Sequence, residues 1–155
     1  MPRLGRLVPA AAFAVAAAGC SDPVRPGADA AGRYELRSVD ASPLPAGLGG
    51  GRSMTSFVVS ATVQLRPDGT FTRAAAISTW YTGTQSLEPP ATYVTTGRWT
   101  ASGDVVTTQD SAAGWPQIFP RARYVLSRGR TLTSQPGTAQ PGDDLDTRVY
   151  VYEKP

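Results

Sequence analysis

From Gly32 onward the chain alternates apolar and polar residues and is broken at short intervals by turn residues. Gly32 to Val39 places Tyr34 and Leu36 on one side and Arg33, Glu35 and Arg37 on the other. That is the pattern of a strand with one face buried. Met54 to Arg66 repeats it, with Ala61, Val63 and Leu65 set against Thr62, Gln64 and Arg66. Pro67-Asp68-Gly69-Thr70 is a turn in which glycine supplies the positive φ. Phe71 to Tyr81 then returns as a partner strand with Phe71, Ala75 and Ile77 on one parity. Thr92 to Ala101, Val105 to Gln109, Arg121 to Ser127, Thr131 to Ser134 and Arg148 to Glu153 follow as further strands. Between them stand the turns Ser102-Gly103-Asp104 and Arg128-Gly129. Ala41 to Gly51, Thr82 to Pro90, the stretch around Gly114-Trp115-Pro116, and Pro136 to Asp146 read as loops.

About eight sequential strands result, with no helical period of useful length after the first twenty residues. Consecutive hairpins with one apolar face leave no exposed edge if the sheet closes on itself. The expected fold is therefore all-β, a small antiparallel up-and-down β-barrel, with a two-sheet sandwich as the alternative. Composition agrees. In 155 residues, Gly (16) and Pro (14) are frequent, and the apolar (41%) and charged (17%) fractions are those of one globular domain.

The N-terminus has a different texture. MPRLGRLVPAAAFAVAAAGC opens with Arg3 and Arg6 and continues with an apolar stretch from Leu7 to Ala18. That stretch is shorter than the roughly 20 residues a membrane-spanning helix needs and suits a cleavable signal. It ends in Ala17-Ala18-Gly19-Cys20, which resembles the lipobox of bacterial lipoproteins, with Ala17 where Leu is usual. Residues 1–19 are read as a lipoprotein signal peptide. Residues 20–31 are read as a lipidated Cys20 with a flexible tether (SDPVRPGADAA), and residues 32–155 as the barrel domain. Two or more acyl chains on Cys20 give stable membrane anchoring. The expected location is the cell envelope, with the chain exported and lipid-anchored, and the expected state is a monomer.

Charge and rare residues narrow the chemistry. Removing Arg3 and Arg6 from the formal +3 leaves about +1, and no basic stripe with interleaved aromatics remains to suggest nucleic acid. The chain has no histidine and one cysteine, which removes His-based triads, His metal ligands and an internal disulfide. No Gly-x-Ser-x-Gly elbow and no phosphate-cradling glycine loop occurs. Glu35, Asp40, Asp68, Glu88, Asp104 and Asp110 fall mostly in turns or on outward parity, and Asp143, Asp144 and Asp146 form a solvated loop without EF-hand spacing. The expectation is a protein that is not an enzyme and uses no cofactor and no metal. Tyr34, Phe71, Tyr93 and Trp99 share the inward parity and are assigned to the core. Trp80, Tyr81 and Trp115 lie at strand ends or in loops, where a barrel mouth would be, and are the candidate ligand contacts.

Gly32-x-Tyr34-x-Leu36-x-Ser38-Val39-Asp40, followed by Pro43-Leu44-Pro45-Ala46, resembles the opening of small bacterial lipocalin-like lipoproteins. Val63-x-Leu65-x-x-Asp68-Gly69-Thr70-Phe71, Gly97-x-Trp99 and Val151-Tyr152 extend the likeness across most of residues 32–153. The META-type domain of other envelope proteins is similar in texture. The resemblance implies an eight-stranded barrel with a ligand cavity and no enzymatic activity. Lipocalins carry Gly-x-Trp on the first strand and a late arginine packed across that Trp. Here Tyr34 stands in the Trp position, and Arg148 is the counterpart of the arginine and a candidate polar ligand contact. Two functions are carried forward. One is a membrane-anchored binding module for a small apolar ligand. The other is an envelope interaction protein whose filled barrel meets a protein partner or the cell wall.

Overall fold

A computed structural model describes residues 28–111, 122–135 and 148–155. Among them there is no α-helix, only a 3-10 turn at Ala28–Ala30. Eight strands form the barrel. They are β1 (Gly32–Val39), β4 (Met54–Leu65), β5 (Thr70–Tyr81), β7 (Ala91–Ser102), β8 (Val105–Asp110), β9 (Arg123–Ser127), β10 (Thr131–Ser134) and β11 (Tyr150–Glu153). Each pairs antiparallel with the next, and β1 closes the ring by pairing with both β11 and β4. This is the closed up-and-down barrel that the alternation predicts, and every barrel strand lies between Gly32 and Glu153.

Three short strands lie outside the ring: β2 (Ser42–Pro43), β3 (Ala46–Gly51) and β6 (Ser86–Leu87). The sequence reading made Ala41 to Gly51 and Thr82 to Pro90 loops, and here the structure differs. Strand β4 is long enough to overhang the ring, and its free edge takes β3 in the register Ala46↔Val58 to Gly51↔Met54. Glycine contributes no side chain to a sheet but keeps its donor and acceptor. At Gly50 this is a requirement, because a Cβ there would sit 2.0 Å from the Met54 carbonyl oxygen.

The two ends of the barrel are unlike. One carries only tight connections: Arg66–Thr70, the two-residue Gly103-Asp104 turn, and Arg128 to Arg130. It is plugged by Tyr34, Leu65, Phe71 and Trp99, each no more than 2% exposed. The Tyr34 hydroxyl donates to the Ala30 carbonyl at 2.8 Å, tying the 3-10 turn under the plug. The Trp99 indole N–H donates to the Arg66 carbonyl at 2.9 Å. Both large amphipathic rings are thus buried with their polar tips satisfied.

At the opposite end lie the connections 40–53 and 82–90, together with Ser111 and Gln135. Asp40 fastens this rim. Its backbone N–H donates to the Val149 carbonyl at 2.8 Å, and its carboxylate accepts from the Val149 N–H at 2.8 Å. The interior toward this end is walled by Val39, Ala46, Val58, Ala61 and Ala75 and by the buried ring of Tyr150, which pairs with Val39.

Candidate functional site

In the middle of β5 the inward positions run Phe71, Arg73, Ala75 and Ile77. Strand alternation therefore carries Arg73 into the barrel, where its side chain is 3% exposed. Charged residues are almost never buried this fully unless paired. The Arg73 partner is Asp110, the last residue of β8. Its carboxylate lies 3.4 Å (Oδ2) and 3.5 Å (Oδ1) from Arg73 Nη2, and its side chain remains 16% exposed. Arg73 Nη1 donates to the Tyr124 hydroxyl at 3.4 Å. The guanidinium carbon is 5.9 Å from the centre of the Phe71 ring, within cation–π range.

Tyr124 in turn meets Tyr152 edge to face, with ring centres 6.1 Å apart and planes at 84°. Burial works against the Arg73 charge. The oxygens of Tyr124 and Tyr152 and the Asp110 carboxylate outweigh it and hold the guanidinium above the ordinary arginine range. A permanent cation thus sits inside the barrel, above the aromatic plug, with a carboxylate on one side.

Local sequence places each member. Gly97 of β7 stands between Phe71 and Asp110 in the sheet register. A Cβ at Gly97 would lie 2.1 Å from the Gln109 carbonyl oxygen and 2.6 Å from the Phe71 ring. The bare position lets the end of β8 approach closely enough for Asp110 to reach inward. Across the barrel, the buried Ser134 hydroxyl accepts from the Tyr150 N–H at 2.8 Å and donates to the Arg148 carbonyl at 3.4 Å. Thr108 donates to the Ala122 carbonyl at 3.2 Å. The buried hydroxyls of Ser134 and Thr108 are thus satisfied within the protein.

The sequence-predicted contacts are placed as follows. Trp80 and Tyr81 both lie at the open-end terminus of β5, but successive strand residues face opposite sides. Tyr81 shares the parity of Ile77 and Ala75. Trp80 takes the outer parity, is 37% exposed, and pairs with Leu87 of β6, itself 59% exposed. Arg148 precedes β11 at the same end, with one guanidinium nitrogen 2.8 Å from where a Cβ on Gly49 would be. The cation packed on the first-strand aromatic is not Arg148 but Lys154. Its ammonium lies 5.2 Å from the centre of the Tyr34 ring and donates to the Asp29 carbonyl at 2.8 Å. Last-strand direction explains the exchange, since Arg148 enters β11 at the open end and Lys154 leaves it at the plug. Of the assigned core aromatics, Tyr34, Phe71 and Trp99 are buried and Tyr93 is half-buried.

Trp115, Cys20 and the Asp143, Asp144 and Asp146 cluster lie outside the described residues. Among the described residues no grouping of His, Cys, Asp or Glu suits a metal ion. An open depression of about 610 Å³ lies at the plugged end, lined by Asp29, Asp104, Leu126, Arg128 and Lys154 among others. Its charges are mixed and it has no connection to Arg73.

Sequence reasoning missed Arg73 and Asp110. The signal for Arg73 was present as an arginine on the inward parity of a strand whose other inward residues are apolar. Nothing local marked Asp110, because its partner is 37 residues away. Comparison with protein-family models and with curated proteins finds no match to this chain.

Proposed function

We propose that this chain is a non-catalytic binding module of the cell envelope, exported and held to a membrane by lipid on Cys20. In this reading a small, largely apolar ligand enters its lipocalin-like barrel by the open end. The observation that carries the reading is the charge enclosed in the barrel, Arg73, whose side chain is 3% exposed. Bulky aromatics fill the end where the connections are tight. Toward the end with long connections Val58, Ala61 and Ala75 share the wall with the ring of Tyr150. Eight-stranded barrels can be filled by side chains or can hold one small ligand, and an interior packed only for stability has no need of an enclosed guanidinium. Tyr81 on the inner parity and Arg148 at the rim would meet a ligand on its way in, as would Trp115. The reading assigns no reaction, cofactor, metal or nucleic acid to the chain.

One observation favours a second reading, in which the barrel meets a protein partner from outside. The Trp80 and Leu87 pair exposes apolar surface on the outer face of the sheet. The two readings separate in native mass spectrometry of residues 21–155 before and after incubation with envelope lipid extract. A persistent small-molecule adduct, lost on denaturation, supports the binding module. A clean apo mass under both conditions overturns it and leaves the outer-face reading.

A further inference from the structure

We propose that the outer face of the sheet formed by β4, β5 and β7 is a self-association surface, and that its occupant is a second copy of this chain. The inference names a partner for the outer-face reading and does not depend on what enters the barrel. It starts from strand length. Strands β4, β5 and β7 have 12 residues each, whereas β8 to β11 have 4–6. β1 meets β4 only over residues 62–65 of β4, and β8 meets β7 only over residues 97–102 of β7. Beyond those levels β3, β4, β5 and the β6–β7 line form an open sheet that rises past the ring.

Among the described residues, the exposed large apolar side chains are Met54, Val59, Trp80, Leu87 and Val94, and every one belongs to this sheet. Cross-strand register puts Trp80, Leu87 and Val94 on its outer face. Trp80 stands between Thr55 and Leu87, and nearer the plug Ala74 stands between Thr62 and Val94. Val94 is 62% exposed and Leu87 59%. Single apolar residues scattered over a surface are ordinary, but a grouping on one face of one sheet marks an interaction site.

The chemistry of the face selects the occupant. Residues 53–65, 74–87 and 89–97 contain no Asp, Glu, Lys or Arg. Elsewhere the outer wall is charged, with Arg33, Glu35 and Arg37 of β1 and Glu153 of β11 linked in ion pairs. A face that docks on lipid headgroups carries Lys or Arg beside its apolar residues, and this one has neither. Between its apolar side chains stand hydroxyls, those of Thr55, Thr62 and Thr92 among them. A hydroxyl both donates and accepts, so such a face is complementary to itself, and apposing two copies opposes no like charges. Strand spacing and rise give the face roughly 20 Å by 30 Å, so two copies would bury about 1,200 Å², where specific interfaces begin. The tether joins the plugged end, so in a chain held by Cys20 the wall faces sideways, toward a neighbouring copy on the same membrane. Only this last step rests on lipidation of Cys20.

Sedimentation velocity of residues 21–155, which hold every strand of the closed barrel, should show the mass rising from one chain toward two as concentration is raised. Leu87→Lys combined with Val94→Lys, both at exposed positions, should weaken that association by more than about 10-fold, because each buries a charge twice in a symmetric contact. In the full chain in its native host, Val94→Cys should form a disulfide between copies on mild oxidation. Thr107→Cys, exposed on the outer side of β8, should not. A monomer at every concentration with no Val94→Cys dimer overturns the self-pairing, and so does a dimer indifferent to the two lysines. Cross-linking of Val94→Cys only to a different protein overturns it and leaves the outer-face reading standing. Binding of the monomer to neutral phosphatidylcholine vesicles in place of dimerisation overturns it in favour of a membrane.

Discussion

If Arg73 is kept for a ligand, removing it together with Asp110 should not weaken the fold, and the structure gives the magnitude. At 3.4 Å and an effective dielectric constant of about 20, the attraction between Arg73 and Asp110 is about 5 kcal/mol. Against it stands the desolvation of an arginine that is 3% exposed and an aspartate that is 16% exposed, several kcal/mol for each ion in a protein interior. The two nearly cancel. The hydrogen bonds of 3.4–3.5 Å add little, being longer than the ordinary range. Methionine has a comparable unbranched stem and no charge to desolvate. Arg73→Met combined with Asp110→Ala, which removes both charges, should therefore be neutral or stabilising by about 0–2 kcal/mol, as when buried ion pairs are replaced by apolar residues. Asp110→Ala alone does the opposite. It strands a buried cation and should cost about 3 kcal/mol, the low end for a broken buried pair because water reaches Asp110. Urea denaturation of residues 21–155, followed by the fluorescence of the buried Trp99, measures both. A loss of more than about 2 kcal/mol when both charges are removed would refute the reasoning. It would make the guanidinium a structural strut, and its enclosure would no longer speak for a ligand.

Gly97→Ala should be among the most damaging single substitutions. Its new Cβ meets the backbone of β8 and the Phe71 ring, neither of which can yield without opening the β7–β8 ladder. Overpacking of this kind costs about 1–3 kcal/mol or more, read as a fall in the urea midpoint. The Tyr34 hydroxyl is pushed up to about 12 by burial, so the folded state holds its proton above pH 10, where the unfolded chain has released it. Its contribution is fully present below pH 10 and is lost as pH rises toward 12. Tyr34→Phe should flatten that alkaline loss while costing about 1 kcal/mol at neutral pH for the lost bond to Ala30. The tether joins the barrel at the plugged end, and the eight residues from Cys20 to the 3-10 turn span at most about 29 Å. With Cys20 lipidated, a fluorophore at Arg128 in the plugged end should transfer energy to a membrane acceptor more efficiently than one at Gly83 in the open end. Equal transfer would mean that the barrel tumbles freely on its tether.

The barrel was legible because its register is a local property. Period-2 alternation in Tyr34/Leu36, Ala61/Val63/Leu65 and Phe71/Ala75/Ile77 fixes which face is buried, and Asp-Gly and Ser-Gly-Asp fix where the chain reverses. The strand over Ala46–Gly51 was not legible. Glycines carry no pattern, and what orders them is the unpaired edge of β4, a feature of the assembled sheet. Trp80 and Tyr81 show the same limit in reverse. As neighbours in sequence they read as one aromatic site, but a strand assigns neighbours to opposite faces, so only Tyr81 shares the inner parity.

Arg73 is the instructive residue. Read locally, an arginine in a strand of alanines is a solvent-facing charge, and only its parity argued otherwise. Its partners come from β8 and β9, 37 and 51 residues on, and no local rule brings them together. Closure of the ring does. Eight strands bring Tyr124 and Asp110 around to face β5 at one level, and Gly97 lets the last turn of that approach happen. Ordinary core positions need only be apolar and of the right size, so alternation alone can specify them. A buried charge needs particular partners at particular places. In this chain, its position above the aromatic plug follows from the order of the strands. The feature that says most about function is thus the one that the local pattern says least about.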